Sequence, residues 1–132
     1  MLNLKNLNPE QLKAVEHIDD PILVFAGAGS GKTRVLTYKI GHLIENVGLP
    51  PDNILAVTFT NKAAQEMQKR VHSIISVDSS KLNIGTFHSI CAAILRRNIH
   101  HLGYENNFTI YDQKDAISAV KGVIANMGLD IK

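Results

Sequence analysis

One cysteine, no tryptophan, four prolines and an aromatic content of only 5% mark this 132-residue sequence. A single thiol, Cys91, excludes an internal disulfide framework and fits a reducing compartment. As a small apolar side chain it is expected on a buried helix face. No apolar run approaches the ~20 residues of a membrane-spanning helix, and the first residues lack the apolar core of a signal peptide. Charge of one sign is also missing. Fourteen basic against twelve acidic residues leave a net +2, too little for a global electrostatic pull on nucleic acid. A cytoplasmic protein without a membrane partner is the expectation. What the sequence does have is 45% apolar content, enough for one domain with a true core.

The run Ala26-Gly27-Ala28-Gly29-Ser30-Gly31-Lys32-Thr33 follows the apolar stretch Ile22-Leu23-Val24-Phe25 directly. A strand ending in glycines and opening a helix aims several backbone N–H groups at one spot, and the helix dipole adds positive potential there. Glycines let the backbone close around a ligand and supply positive φ where a turn needs it. Lys32 offers a point charge for β- and γ-phosphates and Thr33 a hydroxyl for Mg²⁺. The strict pattern opens with glycine, whereas Ala26 stands here, so the match is to the looser form. A nucleotide phosphate is expected at this loop.

The remaining elements alternate. Asn8 and Pro9 read as N-cap and first-turn proline of a helix carrying Leu12, Val15 and Ile18 inward. Residues 22–26 read as a strand, and the helix after the loop closes near Val47-Gly48, with Pro50-Pro51-Asp52 as a turn. Ile54 to Thr58 reads as a buried strand. A helix over 61–75 sets Ala63, Ala64, Met67, Val71 and Ile74 at helical spacing. Leu82 to Gly85 is a third strand, 88–101 a helix and Phe108 to Tyr111 a fourth strand-like stretch. Asp112 caps a last helix ending near Gly128. Such alternation indicates a parallel sheet flanked by helices.

Ligands of such sheets sit at the carboxyl ends of the strands. Thr58 to Lys62 and Thr86 to Ser89 hold polar and aromatic residues at those positions. Phe59 offers a stacking face, and Thr60, Asn61 and Ser89 offer hydrogen bonds to phosphate or sugar. Core packing of Phe59 and Phe87, and helix capping by Thr60 and Asn61, are equally compatible with the spacing. Six histidines are present, but no pair has metal spacing beside a third ligand. His100 and His101 are expected to project to different sides of a helix.

Four segments carry a resemblance: Leu7-Asn8-Pro9-Glu10-Gln11; Gly31-Lys32-Thr33-Arg34-Val35-Leu36 continuing the loop; Ala56-Val57-Thr58-Phe59-Thr60-Asn61-Lys62-Ala63-Ala64; and Gly85-Thr86-Phe87-His88-Ser89. In this order they resemble the N-terminal part of the UvrD/Rep/PcrA family, superfamily 1 DNA helicases that translocate 3′ to 5′ on single strands. The resemblance covers essentially the whole chain. It implies that Gln11 reads the adenine edge of ATP, and that Arg34 and Arg70 lie near the triphosphate. It also implies that Phe59, Thr60, Asn61, Thr86, Phe87 and His88 touch the DNA strand. Lys32 and Thr33 are the candidate catalytic residues, Thr33 also holding Mg²⁺ with the nucleotide.

Hydrolysis also needs an acidic residue on a second strand for Mg²⁺ and a group to position water. The family has an Asp-Glu pair after an apolar strand, and nothing here reads that way. The nearest candidate, Asp112, is followed by Gln113 and reads as a helix cap. The chain is therefore expected to be a piece of a longer helicase. Residues 1–111 would be the N-terminal part of the ATP-binding domain and 112–132 the start of an inserted helical subdomain. The expected fold is α/β, a P-loop NTPase (RecA-like) three-layer sandwich with a mostly parallel sheet, incomplete. Expected partners are single-stranded DNA, single-strand/duplex junctions, the remainder of the helicase chain and, through uncovered apolar surface, a second copy. Such a piece would hold ATP and DNA weakly without turnover. The alternatives are a nucleotide-gated binding module without catalysis and another phosphate-loop phosphotransferase.

Overall fold

The computed structural model describes residues 1–76, 78 and 81–129. They fall into two compact units, Met1–Ala92 and Ala93–Lys132, the boundary lying within a helix. In the first unit, α1 (Pro9–Glu16) starts where its sequence dictates. Asn8 accepts from the Gln11 N–H, the Gln11 side chain accepts from the Asn8 N–H, and Pro9 fills the first turn. Helix α2 (Lys32–Glu45) follows the glycine loop, and a short 3₁₀ turn at Pro51–Asn53 leads into β1 (Leu55–Thr58). Thr60 caps α3 (Asn61–His72), which crosses to β2 (Asn83–Thr86). The two strands pair in parallel, Leu55 opposite Asn83 through Thr58 opposite Thr86. That pairing places both carboxyl ends, at Thr58 and Thr86, on one edge.

The core lies where α2 and α3 cover this sheet. Ile40 and Ile44 of α2, Met67 and Val71 of α3, and Ile54, Ile75, Leu82 and Ile84 form one buried cluster. Leu43, Ala56 and Ile74 pack against it. On α3 the inward positions are Ala64, Met67 and Val71, while Ala63 is exposed. Val15 and Ala14 are the buried residues of α1, whereas Ile18 lies beyond its last turn and is exposed.

Further expectations are corrected. Residues 22–26 form no strand: they have no ladder partner among the described residues, and Leu23 and Phe25 are 77% and 89% exposed. A strand exists only through a neighbour's hydrogen bonds, and the outer edges of β1 and β2 take no ladder bonds from this segment. The stretch 108–111 likewise forms no strand. Ile54 is buried as expected, but the strand beginning at Leu55 is only partly covered, Leu55 itself being exposed. Cys91 is free and exposed, because Ala92 alone is buried on its helix.

That helix, α4 (Phe87–Asn98), ends in a 3₁₀ turn at Ile99–Leu102, and α5 (Gln113–Asn126) follows in the second unit. Asp112 caps α5 reciprocally with Asp115, as its position suggests. His100 and His101 do not diverge. Within a 3₁₀ turn, which spaces successive residues at least as widely around the axis as an α-helix does, their rings nevertheless meet at 4.1 Å between centroids. Among the described residues no helix is long and apolar enough to cross a membrane, and no three His, Cys, Asp or Glu side chains converge as a metal site.

Candidate nucleotide and strand-binding site

The glycine run forms a loop seated at the N-terminus of the fourteen-residue α2. Gly31 is its N-cap at φ 91° and Gly29 turns the loop at φ 76°. No side chain caps α2, and its first turn carries no acidic residue. Its leading N–H groups therefore face the loop with the positive end of the dipole behind them, the arrangement that favours an anion.

The loop's own polar groups are turned inward. The Lys32 ammonium donates to the carbonyls of Ala26 at 3.0 Å and Gly27 at 2.6 Å. The Ser30 hydroxyl donates to the same Gly27 carbonyl at 2.8 Å. All three bonds are exposed to solvent. Thr33 occupies the second position of α2, with its carbonyl taken by the Thr37 hydroxyl at 2.7 Å.

Gln11 reaches this loop from α1. Its amide N–H donates to the Ser30 carbonyl at 3.1 Å while its amide oxygen accepts from the Asn8 N–H at 3.2 Å. The side chain thus bridges the start of α1 and the phosphate loop. A pocket of about 290 Å³ opens there, lined among others by Asn8, Glu10, Gln11, Gly27 and Lys32. It is a mouth of small-ligand size.

Arg34 and Arg70, on different helices, are brought together. Both line a 180 Å³ pocket with Thr37, Tyr38 and Ser73. Arg34 lies over the Tyr38 ring at 5.6 Å and donates to the Asn6 carbonyl at 2.8 Å. Arg70 pairs with Glu66 one turn earlier. Asn8 caps α1 as its position suggests, while its reciprocal partner Gln11 and the Tyr38 platform under Arg34 were missed in the sequence. Asn-x-x-Gln and Arg-x-x-x-Tyr spacings were the available signals.

At the strand ends, Phe59 is 90% exposed, which removes core packing as its role. Its ring lies 5.6 Å from that of Phe87, tilted by 50°, so the ends of β1 and β2 present two adjacent aromatic faces. Thr60 accepts from the Ala63 N–H as a helix cap, Asn61 opens α3, and His88 is exposed in the first turn of α4. Thr86 is buried. Its hydroxyl bonds Ser89, so its side chain serves the start of α4.

Behind the loop, α1 rests on α2 through an ionisable cluster. The Lys39 ammonium donates to the carbonyls of Val15 at 3.0 Å and of His17. One turn on, His42 buries an Nδ1 without a partner. Burial first and the Lys39 charge second push the His42 pKa down, and Glu16 partly offsets this. The folded chain therefore resists a proton that the unfolded chain accepts below about pH 6.5, and stability falls as pH drops through that value. The expected result is a melting temperature lower at pH 5.5 than at pH 7.5, with a shallower slope in His42→Gln. Equal slopes by thermal circular dichroism would contradict it.

These features define an α/β unit in which a phosphate-type loop and a bridging glutamine sit at the N-terminal end of one helix, while Arg34 and Arg70 line a separate pocket. The UvrD/REP helicase N-terminal domain model matches residues 7–132, and the chain belongs to that family. It is 50% identical over 129 residues to the ATP-dependent DNA helicase PcrA of Bacillus subtilis, 47% to that of Staphylococcus epidermidis and 46% to that of Staphylococcus aureus. Each alignment takes in 98% of this chain but 18% of the relative, so the chain spans about a fifth of their length.

Proposed function

We propose that the chain is the N-terminal nucleotide- and strand-binding part of an ATP-dependent DNA helicase that moves 3′ to 5′ on single-stranded DNA. The observation carrying this reading is the Gln11 amide held on the Ser30 carbonyl, which joins a base-reading group to a phosphate loop. In this reading Ala26 to Thr33 wrap the phosphates, Lys32 neutralises them, and Gln11 recognises adenine through its amide. Arg34 and Arg70 approach from the second pocket. The Thr33 hydroxyl would hold Mg²⁺ together with the nucleotide. Bound there, Mg²⁺ would offset phosphate charge.

Neither β1 nor β2 ends in a carboxylate, and among the described residues Glu10 on α1 is the only acid lining the loop pocket. The chain alone therefore binds without turnover, and the rest of the polypeptide supplies hydrolysis. Residues 1–111 belong to a RecA-like domain and 112–132 begin a helical insertion. Exposed Leu23, Phe25 and Leu55 give the isolated chain a tendency to self-associate. Cytoplasmic location and action at single-strand/duplex junctions complete the proposal.

The strand-binding half is tested by fluorescence anisotropy with a labelled oligo-dT. Base–aromatic stacking is worth about 1–3 kcal/mol, so Phe59→Ala is expected to weaken binding about 5- to 150-fold while nucleotide binding stays unchanged. The exposed ring contributes little to folding. Unchanged DNA affinity would remove Phe59 from the strand path.

A further inference from the structure

Helix α1 has eight residues, too few to be stable alone, so its position depends on what fastens it. Its N-terminal end is fixed by the Asn8–Gln11 capping box and by the Gln11 bridge to Ser30. Arg34 holds the approaching chain at the Asn6 carbonyl. The other end would leave its carbonyls unpaired, but Lys39 takes two of them, those of Val15 and His17. An ammonium with three donors fits this place, since the C-terminal end of a helix carries partial negative charge. Val15 beside it is fully buried, so this end is also the packed end.

Lys39 lies two turns along α2 from Lys32, so α1 is fastened to α2 at both ends. One fastening is the Gln11 amide at the loop and the other is the Lys39 ammonium. We propose that Lys39 is a positioning residue for nucleotide-base recognition: by clamping the C-terminal end of α1 to α2, it sets the register in which Gln11 meets the base. It touches neither phosphate nor base itself. Burial lowers its pKa, in keeping with an ammonium drawn from water into this clamp. This inference rests on the reading of Gln11 as the adenine-facing group.

The test compares fluorescent mant-ATP and mant-GTP titrations of this chain. The wild type is expected to prefer ATP. Lys39→Met, which keeps the aliphatic stem, is expected to lose about tenfold in ATP affinity and none for GTP, roughly what one hydrogen-bonded base edge provides. Combined with Gln11→Ala it should add nothing further, and Lys39→Arg should restore most of the preference. An unchanged ATP-to-GTP ratio in Lys39→Met, or an equal loss for both nucleotides, overturns the positioning role. The ratio is read also in Lys39→Gln, which keeps a donor on a shorter stem, so poor folding of one variant does not stop the test. A wild type that binds both nucleotides equally, or neither, sinks the Gln11 reading itself and this inference with it.

Discussion

Lys32→Ala is expected to abolish measurable Mg²⁺-ATP binding by this chain, a loss of about 100-fold or more, with a change in folding stability under about 1 kcal/mol. The two numbers separate because of where the ammonium is. It is exposed, and among the described residues its bonds go to two carbonyls of the loop it serves. Truncation leaves those carbonyls open to water, at small cost. With a triphosphate in the loop the same ammonium meets concentrated negative charge beside the α2 N-terminus, and removing one member of such a charge pair costs about 2–5 kcal/mol. At 1.4 kcal/mol per factor of ten, about 3 kcal/mol suffices for the predicted loss. Isothermal titration calorimetry with a parallel thermal melt checks both halves. A variant that binds ATP within threefold of wild type would mean the helix dipole and backbone donors hold the phosphates without the lysine.

What the sequence revealed of the fold follows the distance over which each signal acts. Asn8-Pro9 and Asp112 mark helix starts with chemistry complete within four residues, and α1 and α5 begin where they say. Helix α3 was readable through Ala64, Met67 and Val71, since a 3.6-residue period needs no knowledge of the partner. Residues 22–26 were not. An apolar run of that length states only that both faces are to be covered, and pairing depends on neighbours elsewhere in a chain. Ile54 to Thr58 and Leu82 to Gly85 had similar runs and found each other. The histidine pair failed differently: residue spacing sets only the direction in which each side chain leaves the backbone, and the rings of His100 and His101 meet beyond that point.

The site divides the same way. The loop was legible because glycine, lysine and threonine each answer a local demand. The joining of Arg34 and Arg70 at one pocket was not, because it depends on α2 lying beside α3. Nor was the second duty of Gln11. Its spacing from Asn8 announces a capping box, yet only the packing of α1 on α2 turns its N–H toward Ser30. One side chain thus serves helix start, loop and, on the proposed reading, base. Its amide oxygen accepts from Asn8 and one N–H donates to Ser30, leaving the second N–H and the second oxygen lone pair for a base. Nucleotide arrival and loop conformation are then coupled through a single residue.

That coupling makes Gly31→Ala the other variant with a large expected effect. Gly31 caps α2 at φ 91°, and a β-carbon there would stand 2.7 Å from the Gln11 amide nitrogen. The left-handed conformation costs an L-residue about 1–2 kcal/mol. The contact is with the far end of a flexible side chain, so Gln11 is expected to swing off Ser30 rather than the loop to break. Stability should drop by about 1–2 kcal/mol, and ATP affinity by about 10- to 100-fold as base and loop contacts are lost together. Gly27→Ala is the control for folding, because nothing lies within 4 Å of its added β-carbon and its φ is not positive. Its melting temperature should stay within a few degrees of wild type. In the double variant Gly31→Ala with Gln11→Ala, removal of the crowding amide should recover no ATP affinity while leaving the backbone penalty in place. Full recovery of ATP binding in that double variant would show that crowding alone had disabled the loop, and that the Gln11 bridge to Ser30 contributes nothing to holding nucleotide.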